Sequence, residues 1–337
     1  SAGPNSGGAG EGVVVGIIDS GIWPENPSFS DRDASGKRVF QQIPGWNGKC
    51  VPGEQFNASH CNQKLIAARW FGEGFGGAAG IKASFPYEFV SARAADGHGV
   101  HTASTAAGNY GVDAVIGGKS YGEISGMAPR ARVAVYKSCW GISPEGGCAN
   151  SDNVAAIDQA VADGVDVINY SISGTSTNFR DPVEIAFLYA ADAGVFVAAS
   201  AGNSGPGAST VAHPSPWITT VAASTHDRSG ESSVTLGNGA TYFGASLTGG
   251  AGPAPIVNSV DVGLPGADPI LLALCYGAAD GAVTLDPAKV AGKIVVCDRG
   301  VTARVNKSLA VLEAGGAGMV LVNTASSSLN ADIHYVP

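Results

Sequence analysis

Between residues 12 and 225 the chain alternates short, β-branched apolar runs with longer stretches of helical period, and few architectures accommodate that alternation. "VVVGIID" (13–19) is too short for a helix and apolar on both faces, as a central parallel strand must be. "ARVAVYKS" (131–138), "VDVINYSI" (165–172), "VFVAAS" (195–200) and "WITTVAAS" (217–224) repeat that signal. Between them, "SDNVAAIDQAVADG" (151–164) sets Val154, Ile157 and Val161 on one helical face, with Ser151 as the expected N-cap and Gly164 as the stop. "DPVEIAFLYAADAG" (181–194) predicts a helix capped by Asp181, with Pro182 at its first position and Gly194 past its end. Strands alternating with helices in this way predict an α/β fold, a doubly wound parallel sheet.

After about residue 240 the texture changes. "LTGGAGPAPIVNSVDVGLPGADP" reads as Gly/Pro-rich connection. "KIVVCDRG" (293–300), "VNKSLAVLEAGGAG" (305–318) and "MVLVN" (319–323) then predict a second strand–helix–strand unit. We therefore expect two domains, 1–243 and 244–337, the first opening on the flexible lead-in "SAGPNSGGAGEG".

The 19 basic and 28 acidic residues give a net charge of −9 with no basic cluster, which argues against nucleic acid or an anionic membrane surface as partner. No apolar run reaches transmembrane length. Charged residues make up only 14%, a composition common in exported proteins. The six cysteines fall into three local pairs, suggesting disulfides Cys50–Cys61, Cys139–Cys148 and Cys275–Cys297 and an oxidising compartment. Six cysteines allow fifteen pairings, and six reduced thiols are the alternative. Asn57-Ala-Ser59 and Asn306-Lys-Ser308 are glycosylation sequons in polar surroundings, while Asn169-Tyr-Ser171 lies in an apolar run and is expected to be buried.

In doubly wound sheets, functional residues gather at the carboxyl ends of the strands. "VVVGIIDSG" delivers Asp19 there, "DGHGVHT" delivers His98 at the start of a helix, and "VFVAASAGNSGPG" delivers Asn203 just past another strand. A carboxylate to orient an imidazole, an imidazole to move a proton and an amide to donate to an oxyanion are the parts of an acyl-transfer site. His98 and His101, three apart after Asp96, also admit a metal, but no cysteine or third histidine lies nearby in the pattern. Asp96 is expected to cap the helix.

With these motifs in this order, the chain resembles the subtilisin-like serine peptidases, of the cucumisin-like or plant type. "LDPAKVAGKIVVCDRG" and "EAGGAGMVLVN" resemble the protease-associated (PA) domain that such enzymes insert late in the catalytic domain. Val100 departs from the threonine usual in the family. The resemblance implies a secreted serine endopeptidase in which Asp19 orients His98, His98 is the base, His101 is a structural histidine and Asn203 supplies the oxyanion amide. It implies that Tyr170, Ser171, Ile172, Ser173 and Gly174 pair with an extended peptide substrate, with Ser200, Ala201 and Gly202 as the facing wall of the pocket. The family's nucleophile lies in Gly-Thr-Ser-Met downstream of the PA insertion. "GTS" at 174–176 precedes Asn203, so Ser176 falls out of order, and Ser204 and Ser229 lack the motif. The expected nucleophile is thus on a segment after residue 337, which makes the C-terminal remainder of the same protein a partner, beside a protein or peptide substrate and a propeptide or peptide inhibitor. No metal or other cofactor is implied, with calcium dependence left open. The competing readings are a non-catalytic binding or regulatory protein of the same fold, and a small-molecule-binding α/β protein; the second explains neither the joint motifs nor the PA-like tail.

Overall fold

Six parallel strands form the central sheet of the computed structural model, which describes residues 9–33, 35–116, 119–141, 146–224, 230–326, 329 and 332–337. Residues 1–8 of the lead-in and Ser229 lie outside the described residues. In chain order the strands are β1 (Val14–Asp19), β2 (Leu65–Trp70), β3 (Arg132–Lys137), β4 (Val167–Tyr170), β5 (Phe196–Ser200) and β6 (Thr219–Val221). Across the sheet they run β6-β5-β4-β1-β3-β2. The chain fills one side of β1 with β2 and β3, then crosses to the other with β4, β5 and β6. The β1/β4 junction is therefore the switch point, where α/β sheets open a crevice.

Strand alternation supplies a core on each face. Val14 and Ile18 point into a cluster with Ala134, Tyr136, Ile168 and Tyr170, covered by Ile157 and Ala160 of α2 (Asn150–Asp163) and Val183 and Phe187 of α3 (Pro182–Asp192). Val15 and Ile17 point the other way, to Val133, Val135 and Leu65, covered by Ala103 and Ala107 of α1 (His98–Ala107). Ile17 and Ile18 are fully buried, each worth about 1.5–3 kcal/mol relative to exposure.

The helix ends separate two of the expectations. Asp181 caps α3, accepting from Val183 N–H at 2.9 Å, with Pro182 at the first position. Ser151 does not cap α2, because that helix starts at Asn150 with Ala149 in the cap position and no side-chain cap bond. Gly164 ends α2 in the left-handed region, as expected. The strands expected over 165–172 and 217–224 are shorter, Val167–Tyr170 and Thr219–Val221. The edge strand β2 was not anticipated.

The chain divides into two compact units, Ser1–Val115 with Ser120–Ser224, and Ile116–Lys119 with Thr225–Pro337. The second unit has a parallel sheet of its own, ordered β7 (Ile256–Asn258), β8 (Ile294–Asp298) and β9 (Gly318–Val322), with α4 (Arg304–Glu313) between β8 and β9. Val290, Val295, Val311 and the Cys275–Cys297 disulfide lie in its core. A hairpin of Glu231–Thr235 and Thr241–Ala245 also belongs to this unit, so the contact boundary falls before the expected boundary after 243. The other two disulfides, Cys50–Cys61 and Cys139–Cys148, complete the local pairing suggested by spacing.

Candidate active site

Asp19 closes β1 and is 1% exposed. A carboxylate buried this deeply must be hydrogen-bonded. Its Oδ1 accepts from Ser20 N–H at 2.7 Å, and Thr102 Oγ1 lies 3.2 Å from its Oδ2. His98, the first residue of α1, brings Nδ1 to 2.7 Å from Asp19 Oδ1. A carboxylate only accepts, so Nδ1 carries the proton and Nε2 is the free end of the ring. The His98 side chain is 55% exposed against 1% for Asp19. The bond to Asp19 raises the His98 pKa above 6.5, outweighing the opposing effect of partial burial.

Ser20 and Asp96 join the strand end to the helix start. Ser20 Oγ accepts from Gly99 N–H at 3.0 Å and donates to Asp96 Oδ1, which also accepts from His98 N–H at 3.1 Å. Asp96 thus satisfies an early helix N–H from one residue before Gly97, the cap position. Ser20 and Thr102 escaped the sequence reading. Thr102 had a signal, because residues four apart share a helical face; Ser20 had only its place beside Asp19. Val100 packs against the core beneath α1, where a methyl suits the site. His101 is exposed.

The remaining predicted residues lie at the same sheet edge. Ile18, Tyr170 and Ala199 stand in one row across β1, β4 and β5, so Asp19, Ser171 and Ser200 are the next residues out from each strand. Tyr170 requires a correction. It is 2% exposed and its strand is paired on both sides, leaving no free edge for a peptide. Ser171 and Ile172 are half-buried, Ser173 and Gly174 are exposed, and all four run beyond the ladder. Ser200, Ala201 and Gly202 are half-buried, with Gly202 at φ +79°, which glycine accommodates. Asn203 follows, exposed, in the turn past β5. Ser176 and Ser204 are exposed in bends and turns, and among the described residues no serine hydroxyl is hydrogen-bonded to His98. Among the described residues no group of three or more His, Cys, Asp or Glu is placed to hold a metal ion.

The parallel α/β sheet thus presents a buried carboxylate to a half-exposed imidazole at its switch point, two of the parts an acyl-transfer site needs. Sequence comparison makes the assignment specific. The profile of the Subtilase family matches residues 10–285 and that of the PA domain matches 256–337. The chain belongs to the subtilase family and carries PA-domain sequence. It is 44% identical to Subtilisin-like protease SBT1.5 of Arabidopsis thaliana over 334 residues, 97% of this chain and 41% of that protein. To Subtilisin-like protease SBT1.3 of the same plant it is 46% identical over 332 residues, 96% of this chain and 40% of that protein. The chain thus spans less than half the length of these relatives. The solved structure of S41 Psychrophilic Protease aligns with a TM-score of 0.39 and 23% identity over 70% of this chain and 58% of its own.

Proposed function

We propose that the chain is the N-terminal part of a secreted serine endopeptidase, with a catalytic region over 1–243 and a PA domain over 244–337. The observation that carries this reading is the 2.7 Å contact between buried Asp19 and the Nδ1 of half-exposed His98. Asp19 fixes the tautomer, so the Nε2 lone pair faces outward to accept a proton. His98 takes that proton from a serine hydroxyl as it attacks the peptide carbonyl, and the imidazolium is stabilised by Asp19. The same proton then passes to the leaving amine. Asn203 donates its side-chain amide to the oxyanion, and segments 171–174 and 200–202 hold the peptide on either side. The serine itself we assign to a segment after residue 337, since the serines of the GTS and other loops stand in the wrong order for the family. A protein or peptide is the substrate, and a propeptide or peptide inhibitor would occupy the same cleft.

Export is supported by three disulfides and low charge. Among the described residues no helix is long and apolar enough to cross a membrane. Asn57 is an exposed sequon, whereas Asn306 donates to Asp280 and Ser308 is buried, so Asn57 is the better glycan acceptor.

The test is peptide hydrolysis by the protein carried past residue 337. Activity should rise with pH through the His98 pKa, placing the acid limb of kcat/KM above 6.5. His98→Ala should remove all but the small residual rate that binding and the oxyanion amide supply without a base. Failure of the unsubstituted protein to cleave any unfolded protein substrate would refute the reading.

A further inference from the structure

Residues 212 and 213 run between the two proposed cleft walls and are bonded to both. Ala212 N–H donates to Ala201 O at 3.0 Å, and His213 N–H donates to Thr175 O at 2.9 Å. The His213 ring adds a third tie. Its Nε2 lies 2.8 Å from Ile172 O, and since a carbonyl only accepts, Nε2 carries a proton. Its Nδ1 lies 2.6 Å from Glu184 Oε1 on α3. Both side chains are 1% exposed, and the imidazole sits edge-on to Tyr170 and Phe187.

This is an unusual investment in one loop residue. Two ionisable groups are held out of water, which is costly unless each is paired. Burial opposes a charge on His213, but the bonds to Glu184 and Ile172 outweigh it and raise its pKa. The backbone of His213 has φ +53°, a region few non-glycine residues occupy and one that persists only where surrounding bonds impose it. Gly174 confirms how closely the wall is seated. A Cβ there would stand 2.3 Å from His213 Cε1, so only glycine lets the segment rest against the ring.

We propose that His213, held by Glu184, is a positioning residue that fixes the spacing of segments 171–175 and 200–202, and so determines how tightly an extended peptide binds. This rests on the endopeptidase reading above. A peptide lying along 171–174 needs its backbone partners at hydrogen-bonding distance, and three of the ties that locate those walls pass through residues 212 and 213. The ties are present whether or not bond cleavage is under way. Their loss should weaken ground state and transition state alike, and therefore raise KM with little change in kcat.

The experiment compares two variants of the protein carried past residue 337, with active sites counted by an irreversible serine-directed inhibitor so that misfolded material is excluded. Glu184→Gln keeps a hydrogen-bonding partner for Nδ1 while Nε2–H still reaches Ile172 O. The double variant Glu184→Gln/His213→Asn removes the ring, strands no buried charge, and places at φ +53° a residue type that tolerates it. For a peptide amide with four residues before the scissile bond, the double variant should raise KM about tenfold or more with kcat within about threefold, and Glu184→Gln alone should raise KM by less. A single-residue ester, too short to pair along the segment and held only by the pocket wall, should show a smaller rise in KM. An equal KM rise for both substrates, or a loss confined to kcat, would overturn the proposal. Absence of turnover in the unsubstituted protein would overturn the endopeptidase reading and this inference with it.

Discussion

Asp19 holds His98 charged more readily than an isolated imidazole, and that bias can be measured on residues 1–337 alone. Asp19→Asn leaves the side-chain shape but removes the anion, so the His98 pKa should fall toward or below 6.5 in an NMR titration of its ring. An unchanged titration would show that the 2.7 Å contact does not govern the imidazole. Asn203→Ala belongs at the same scale. For this role the family's own oxyanion asparagine, not this chain, sets the magnitude, a fall of about 10²–10³-fold in turnover with KM nearly intact. A rise in KM at constant kcat would instead make Asn203 a ground-state contact. Lys64 offers a test far from the cleft. Its Nζ is fully buried and donates to Pro129 O and Ala131 O, and burial lowers its pKa to about 7. An unfolded lysine titrates near ~10.4. Between about 7 and ~10.4 the unfolded chain therefore binds more protons, and stability should rise with pH across that window relative to Lys64→Met. Denaturant midpoints at pH 7 and pH 9.5 would show it. Asp19 and His98 were readable from sequence because each stands at a strand end or helix start within a dense motif. His213 and Glu184 were not, since they meet across 29 residues and neither carries a local pattern.

At the scale of elements, what could be read depended on whether the deciding bonds are local. Asp181 and Pro182 declare the start of α3 because cap and first turn are neighbours in sequence. Asp181→Ala should therefore destabilise the chain by about 1 kcal/mol through the lost bond to Val183 N–H, seen as a lower melting temperature. No change would mean that the helix start is held by packing alone. The start of α2 misled for the opposite reason. Asp152, in its first turn, turns outward from the helix to accept from Gly74 N–H, a partner 78 residues away. β1 and the middle of β3, residues 133–136, are apolar on both faces and could be read as buried. β2 could not, because "LIAARW" carries Arg69, which a sequence reading sends to solvent. In the fold Arg69 makes a two-pronged pair with Asp163 at 2.8 and 2.7 Å, and Tyr136 OH bonds the same carboxylate. The strands at 165–172 and 217–224 were read too long because apolar composition continues past the point where a neighbour is left to pair with. At β4 the excess past Tyr170, namely Ser171 and Ile172, opens the proposed substrate segment.

For the whole molecule, the order of the functional groups along the chain makes the strongest demand. Asp19 closes β1, His98 opens α1 and Asn203 follows β5, and the sheet gathers the first two at the β1/β4 crevice. In the endopeptidase reading a nucleophile must bring a hydroxyl to His98 Nε2, and the GTS serine, Ser176, lies exposed in a bend beyond the proposed substrate segment. An imidazole and an oxyanion donor without that hydroxyl retain only a residual rate over water. Residues 1–337 by themselves should therefore neither cleave peptides at an enzymatic rate nor react with a fluorophosphonate probe. The protein carried past residue 337 should do both, with the label on a serine beyond that position and its incorporation slowed by Asp19→Asn, because the base then loses its orienting carboxylate. Mass mapping of the labelled peptide decides the matter. Label on Ser176, Ser204, Ser229 or any other serine within 1–337 would mean that the nucleophile lies inside this chain and that the order inferred for the three groups is wrong.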